Sequence, residues 1–157
     1  MQKITPCLWF NFNAEEAVNH YVSIFKRSSI LEVLRYGDAM PDLKGKVLTM
    51  RFELDGQQFQ ALNGGPQFPF TEAISLSVDC ATQAEVDELW SRLSEGGSTG
   101  DCSWLKDKFG VSWQIVPRAL VTMLSDPDPA TATRVMQAMM TMGKIDIAAL
   151  EKARDAR

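Results

Sequence analysis

One histidine, His20, and three cysteines, Cys7, Cys80 and Cys102, are all that the 157-residue chain has of the two commonest zinc-holding residue types. The cysteines are odd in number and far apart. A disulfide framework is therefore not expected, and a reducing cytoplasm is the natural setting. No CxxC pair or Cys/His cluster is available for zinc. No apolar run is long enough to cross a bilayer, so no membrane association is expected. The opening "MQKITPCLWFNFNAEE" lacks a basic start, an apolar stretch and a small-residue cleavage site, and does not read as a signal peptide. The formal charge is -4 and the basic residues are scattered, which argues against nucleic acid as a partner. A Gly-rich turn leading from a strand into a helix is also missing. "LNGGPQF" precedes a strand and is interrupted by Pro66, so the common S-adenosylmethionine site is not visible.

What is present suits one globular domain, residues 1–157, with 45% hydrophobic and 23% charged residues. "ITPCLWFN" reads as a strand, with Pro6 marking an edge or a strand start. "NAEEAVNHYVSIF" changes to helical period, with Ala14, Ala17, Val18, Tyr21, Val22 and Phe25 on one face. Asn13 and Glu16 have the spacing of a capping box. "SSILEVLRYG" reads as a strand. Val47 to Leu54 and Gln58 to Asn63 read as a hairpin around Asp55-Gly56, a pair suited to a type I′ turn. The order then restarts. "AISLSVDC" alternates, Ile74, Leu76 and Val78 against Ser75 and Ser77. "TQAEVDELWSRL" is a helix with Val86, Leu89, Trp90 and Leu93 buried and Thr82/Glu85 as a second capping box. "CSWLKDKFGVSWQIVP" supplies the closing strands. Beyond Pro117 three short helices are predicted, the last capped by Asp146. Val135, Met139 and Met142 have the spacing of a packing stripe.

The segments "WFNFNAEEAVNHYVSIF", "LNGGPQFPFTEAISLSVDC", "VDELWSRLSEGG", "SWLKDKFGVSWQIVP" and "RVMQAMMTMGKIDIAALEKA" resemble the PhnB-like group of the vicinal-oxygen-chelate superfamily. That superfamily also holds glyoxalases, ring-cleaving dioxygenases and bleomycin-resistance proteins. The resemblance implies an α+β fold, two tandem βαββ(β) modules forming a cupped mixed sheet, about 1–66 and 72–118, with a helical extension at 119–157. It implies a homodimer, and some members carry the label demethylubiquinone methyltransferase. In metal-using relatives four side chains project into the cup. Carried over, those positions fall on Pro6, on Ala73, on Gln114 and near Ala61 or Asn63. Proline and alanine ligate nothing, and an amide oxygen alone binds weakly, so no metal or other cofactor is expected.

The candidate ligand-binding residues are Gln114, Ser75, Ser77, Asn63 and Trp104. Gln114 is either a hydrogen-bonding group in the cup or a satisfied amide on a packed strand. Ser75 and Ser77 lie opposite the apolar stripe of their strand. A nucleophilic serine needs a base within reach, and His20 lies off the apolar face of its helix, where solvation is expected. The three cysteines read as small packing residues, Cys102 being the one to test for reactivity. Trp90 reads as core and Trp104 as the best pocket or interface candidate; Trp9 and Trp113 are ambiguous. Glu15/Glu16 and Glu53/Asp55 read as capping and turn residues. The expected function is metal-free binding of a small molecule. A glyoxalase- or dioxygenase-like enzyme, or a methyltransferase, is the alternative.

Overall fold

The computed structural model describes residues 2–157, which divide into two compact units, Met1–Phe70 and Thr71–Arg157. Unit 1 runs β1 (Cys7–Phe10), α1 (Ala14–Ile24), β2 (Ser29–Arg35), β3 (Val47–Leu54) and β4 (Gln57–Asn63). Unit 2 runs β5 (Ser75–Cys80), α2 (Gln83–Ser94), β6 (Ser98–Thr99), β7 (Trp104–Lys106) and β8 (Ser112–Pro117). It continues into α3 (Arg118–Leu124), α4 (Pro129–Met139) and α5 (Ile147–Asp155). Each unit is a βαβββ module with its own four-stranded mixed sheet, ordered β1-β4-β3-β2 in one and β5-β8-β7-β6 in the other. The first and last strands of each module pair in parallel, and the other pairings are antiparallel.

In unit 1, Leu8, Phe10, Met50, Phe52, Phe59 and Ala61 form the buried sheet face, beneath Ala14, Ala17, Val18 and Tyr21 of α1. The Asp55-Gly56 turn takes positive φ at both residues, as the type I′ geometry requires. Pro6 precedes the first residue of β1, an edge strand, so no ladder hydrogen bond is lost to its missing N–H. Asn13 stands at the α1 N-cap, but its side chain makes no capping bond. The cap comes from the sheet instead. Asn63 Oδ1 accepts the Ala14 N–H at 3.0 Å, and Asn63 Nδ2 donates to the Val47 carbonyl at 3.0 Å. His20 is half-buried rather than solvated, its ring 6.1 Å from that of Tyr21. Phe25, expected on the buried stripe, is only half-buried, and Ile24 takes the last buried position of α1.

In unit 2, Leu105, Trp113 and Ile115 pack beneath Val86, Leu89 and Leu93 of α2. Thr82 Oγ1 accepts the Glu85 N–H, and Glu85 reaches back to the Ala81 N–H, so the second cap is local. Trp90 is half-buried, not core, and Ile74 precedes β5 and is 74% exposed. The extension packs on unit 2 around Leu120, Met123, Val135, Ile145 and Leu150, with Met139 and Met142 against them. Gln83 fastens it to α2, donating to the Ile145 carbonyl and accepting the Ile147 N–H. Asp146 caps α5 as expected.

Candidate functional site

Strand register decides which side chains share a face, because directly opposed residues project the same way. Ser75 stands opposite Ser112, and Ser77 opposite Gln114. Trp104 stands opposite Gln114, and Lys106 opposite Ser112. Four of the five expected residues, Gln114, Ser75, Ser77 and Trp104, therefore lie on one face of the unit 2 sheet, the face turned away from α2. Gln114 Nε2 donates to Ser75 Oγ at 2.8 Å, so the amide and the hydroxyl form one polar pair across β5 and β8.

Asn63 does not join them. It belongs to the α1 side of the unit 1 sheet, only 4% exposed, and both ends of its amide are engaged by the backbone. Ala61, the other expected position on that strand, is fully buried on the same side. The open face of β4 carries Gln58, Gln60 and Leu62, and that of β1 carries Cys7 and Trp9. Cys7 is accordingly exposed, not a packing residue.

A cavity of about 170 Å³ opens on the unit 2 face, lined by Ser98, Thr99, Trp104, Lys106 and Ser112, with Glu72 and Gly100 at its rim. Lys106 forms an ion pair with Glu72, which holds the Glu72 carboxyl below the ordinary range. Ser112 is 1% exposed and its Oγ has no hydrogen-bond partner. A buried hydroxyl without a partner forfeits its hydration, and native proteins rarely tolerate this without a use for the group. Ser112 was missed in the sequence because a serine beside Val111 and Trp113 reads as a strand filler. Its isolation emerges only once β5 and β7 flank β8.

Trp104 half-faces this cavity, whereas Trp113 points the other way. The Trp113 indole N–H donates to Asp107 Oδ2 at 2.9 Å, and Asp107 Oδ1 accepts the N–H groups of Phe109 and Val111. Asp107 is 3% exposed, so a buried carboxylate ties the "KDKFG" turn to the core tryptophan. In unit 1, Trp9 donates to the Gly65 carbonyl and meets Phe68 edge-on, ring centroids 4.9 Å apart. Trp9 thus packs under the linker.

Cys80 is buried, and that burial, reinforced by Glu85 and Asp79, pushes its thiol up to about 12. Cys102 is half-buried, its Sγ 3.7 Å from the Met139 carbonyl. Among the described residues, no three His, Cys, Asp or Glu side chains gather as a metal site would require. The donors on the unit 2 face are hydroxyls and an amide, with the nearest carboxylate committed to a lysine. That set does not suit the divalent ions that vicinal-oxygen-chelate enzymes hold with imidazole and carboxylate.

The family described as 3-demethylubiquinone-9 3-methyltransferase matches residues 2–116. A PhnB protein from Bacillus cereus is 38% identical, covering 74% of this chain and 99% of its own, with a TM-score of 0.68. Protein PA1353 from Pseudomonas aeruginosa is 26% identical over 74% of this chain and 98% of its own, TM-score 0.63. The fosfomycin resistance protein FosX from Listeria monocytogenes shares the fold, with a TM-score of 0.53 at 15% identity, over 80% of this chain and 98% of that one. No curated protein matches.

Proposed function

Because the chain belongs to the family described as 3-demethylubiquinone-9 3-methyltransferase, on the vicinal-oxygen-chelate fold, we propose that it binds a compact, ring-sized molecule without a metal. The pocket is the open face of the unit 2 sheet. The observation that carries this reading is the cavity itself, walled by Trp104 and Lys106 on a sheet face of short serines. A cavity of about 150 Å³ holds benzene, so 170 Å³ suits one ring with a polar substituent. Trp104 offers a flat wall and Lys106 a polar contact, and the Gln114–Ser75 pair lies on the same face outside the cavity lining.

The methyltransferase activity in the family's description draws no support from the local chain. The strand-to-helix turns, Asn11–Asn13 and Ala81–Thr82, contain no glycine to bring backbone against a nucleotide. We further propose a homodimer in the cytoplasm. β2 supports the first: it is an edge strand exposed at all seven residues, with Ile30, Leu31, Val33 and Leu34 among them. Unpaired cysteines are consistent with the second.

The test is NMR titration with phenol, benzoate and toluene. Phenol is expected to perturb Trp104 and Lys106, and Trp104→Ala is expected to weaken phenol and toluene alike, about two- to tenfold, the value of one aromatic contact. Absence of binding by all three at millimolar concentration overturns the reading. Sedimentation checks the dimer.

A further inference from the structure

The family match covers residues 2–116, and α3–α5 follow it in the chain. The loop between β6 and β7 shows what this extension touches. Cys102 and Ser103 sit at φ 52° and φ 80°, two consecutive non-glycine residues in the left-handed region. Such a conformation persists only where its surroundings hold it. The Cys102 N–H donates to the Met142 carbonyl at 2.8 Å and the Ser103 N–H to the Gly143 carbonyl at 2.9 Å. Ser103 is 3% exposed, so water is no substitute acceptor for its N–H. On the sheet side the Ser103 carbonyl accepts from Ile115, and Gly100 and Trp104 bond across the loop. Gly143 itself is seated closely: a Cβ there would stand 3.0 Å from the Gly100 carbonyl oxygen and 3.8 Å from the Trp90 ring. The loop ends in Gly100 and Trp104, and both line the cavity.

We propose that the turn after α4, through the Met142 and Gly143 carbonyls, sets the position of Trp104 and with it the shape of the pocket wall. The extension is then a specificity element for the pocket, and Met142 and Gly143 are positioning residues. The pocket's role in binding rests on the function proposed above; the positioning of Trp104 does not.

The experiment uses the full chain and two variants. Gly143→Ala forces the turn away from Gly100. Arg134→Ala frees the end of α5, whose Ala153 and Arg154 carbonyls Arg134 holds, without touching the turn or the loop. In Gly143→Ala the Trp104 indole N–H resonance is expected to shift, with those of Trp9 and Trp113 unmoved. Exchange of the Cys102 and Ser103 amides is expected to quicken by about tenfold or more. Arg134→Ala is expected to leave the Trp104 resonance in place. An unmoved Trp104 resonance in Gly143→Ala, or an equal shift in Arg134→Ala, overturns the proposal. Phenol titration of the same samples separates the two ideas: a shifted Trp104 with no phenol binding to any variant preserves the positioning and removes the pocket's binding role.

Discussion

Unit 1 and unit 2 thread their strands in the same order, yet the open faces of their sheets carry different side chains. In unit 1 that face carries long polar side chains that bond to one another. Arg51 reaches Glu32 and Gln58, each at 3.3 Å. In unit 2 the corresponding face carries Ser75, Ser77 and Ser112, too short to fill the space, with Trp104 and Lys106 as walls. The units also bury different polar groups. Unit 1 buries an amide, Asn63, that holds its helix to its sheet; unit 2 buries a carboxylate, Asp107, that holds its turn to Trp113. Topology supplies the same platform in both units, and the side chains decide what each platform presents.

Removing the two buried polar groups breaks this comparison most severely. Asp107→Ala strands the buried Val111 and Trp113 N–H groups and the half-buried Phe109 N–H, and is expected to lower unfolding free energy by about 2–5 kcal/mol in urea denaturation. Asn63→Ala strands the Ala14 N–H and the Val47 carbonyl, with an expected loss of about 2–4 kcal/mol by the same measurement. Ser112→Ala sharpens the contrast by its sign. Deleting an unpartnered buried hydroxyl is expected to raise stability by about 1 kcal/mol. A loss of stability in that variant would show that the hydroxyl already has a partner. Smaller still is the alkaline effect of Cys80. Its folded pKa is raised, so its contribution is complete below the unfolded thiol value. It is lost as pH climbs from about 9 toward 12. Unfolding midpoints from pH 7 to 10 are expected to fall less in Cys80→Ala. The smallest effect belongs to Glu72→Gln. The Glu72–Lys106 pair is exposed, so no shift in the midpoint at pH 7 is expected. In the native protein the Glu72 carboxyl, titrated by NMR, is expected to protonate only below its ordinary range, and the pair loosens as pH falls through that value.

Much of this was legible from residue order. Alternation in "SLSVDC", the Asp-Gly turn and the Thr82/Glu85 spacing are local signals, and each element formed where they pointed. Alternation put Ser75 and Ser77 opposite the apolar stripe of their strand, and strand pairing brings Gln114 and Trp104 to that same face. Interactions distant in sequence were not legible. Asn13 has the composition of a cap, but Asn63, fifty residues on in the hairpin, does the work. Asn63 was read as a pocket residue because its strand was known and its facing was not. Asp107 looked like an ordinary turn residue beside Lys106 and Lys108, and nothing local shows that its carboxylate turns inward to an indole. Trp90 follows the buried stripe in period but sits at its margin, where Gly143 approaches.

The parallel pairing of the first and last strands has a consequence for assembly of the chain. Cys7 must meet Gln60, and Ser75 must meet Ser112, before either sheet is complete. In each unit the strand synthesised first therefore finds its partner last, after the intervening helix and hairpin have emerged. Closing such a loop costs entropy before any contact repays it, so folding speed is governed by this final docking. On the ribosome, β1 waits unpaired with Leu8, Trp9 and Phe10 exposed until β4 appears. That interval, rather than any feature of the finished protein, is when the chain is most open to capture by a chaperone or by a neighbouring nascent chain.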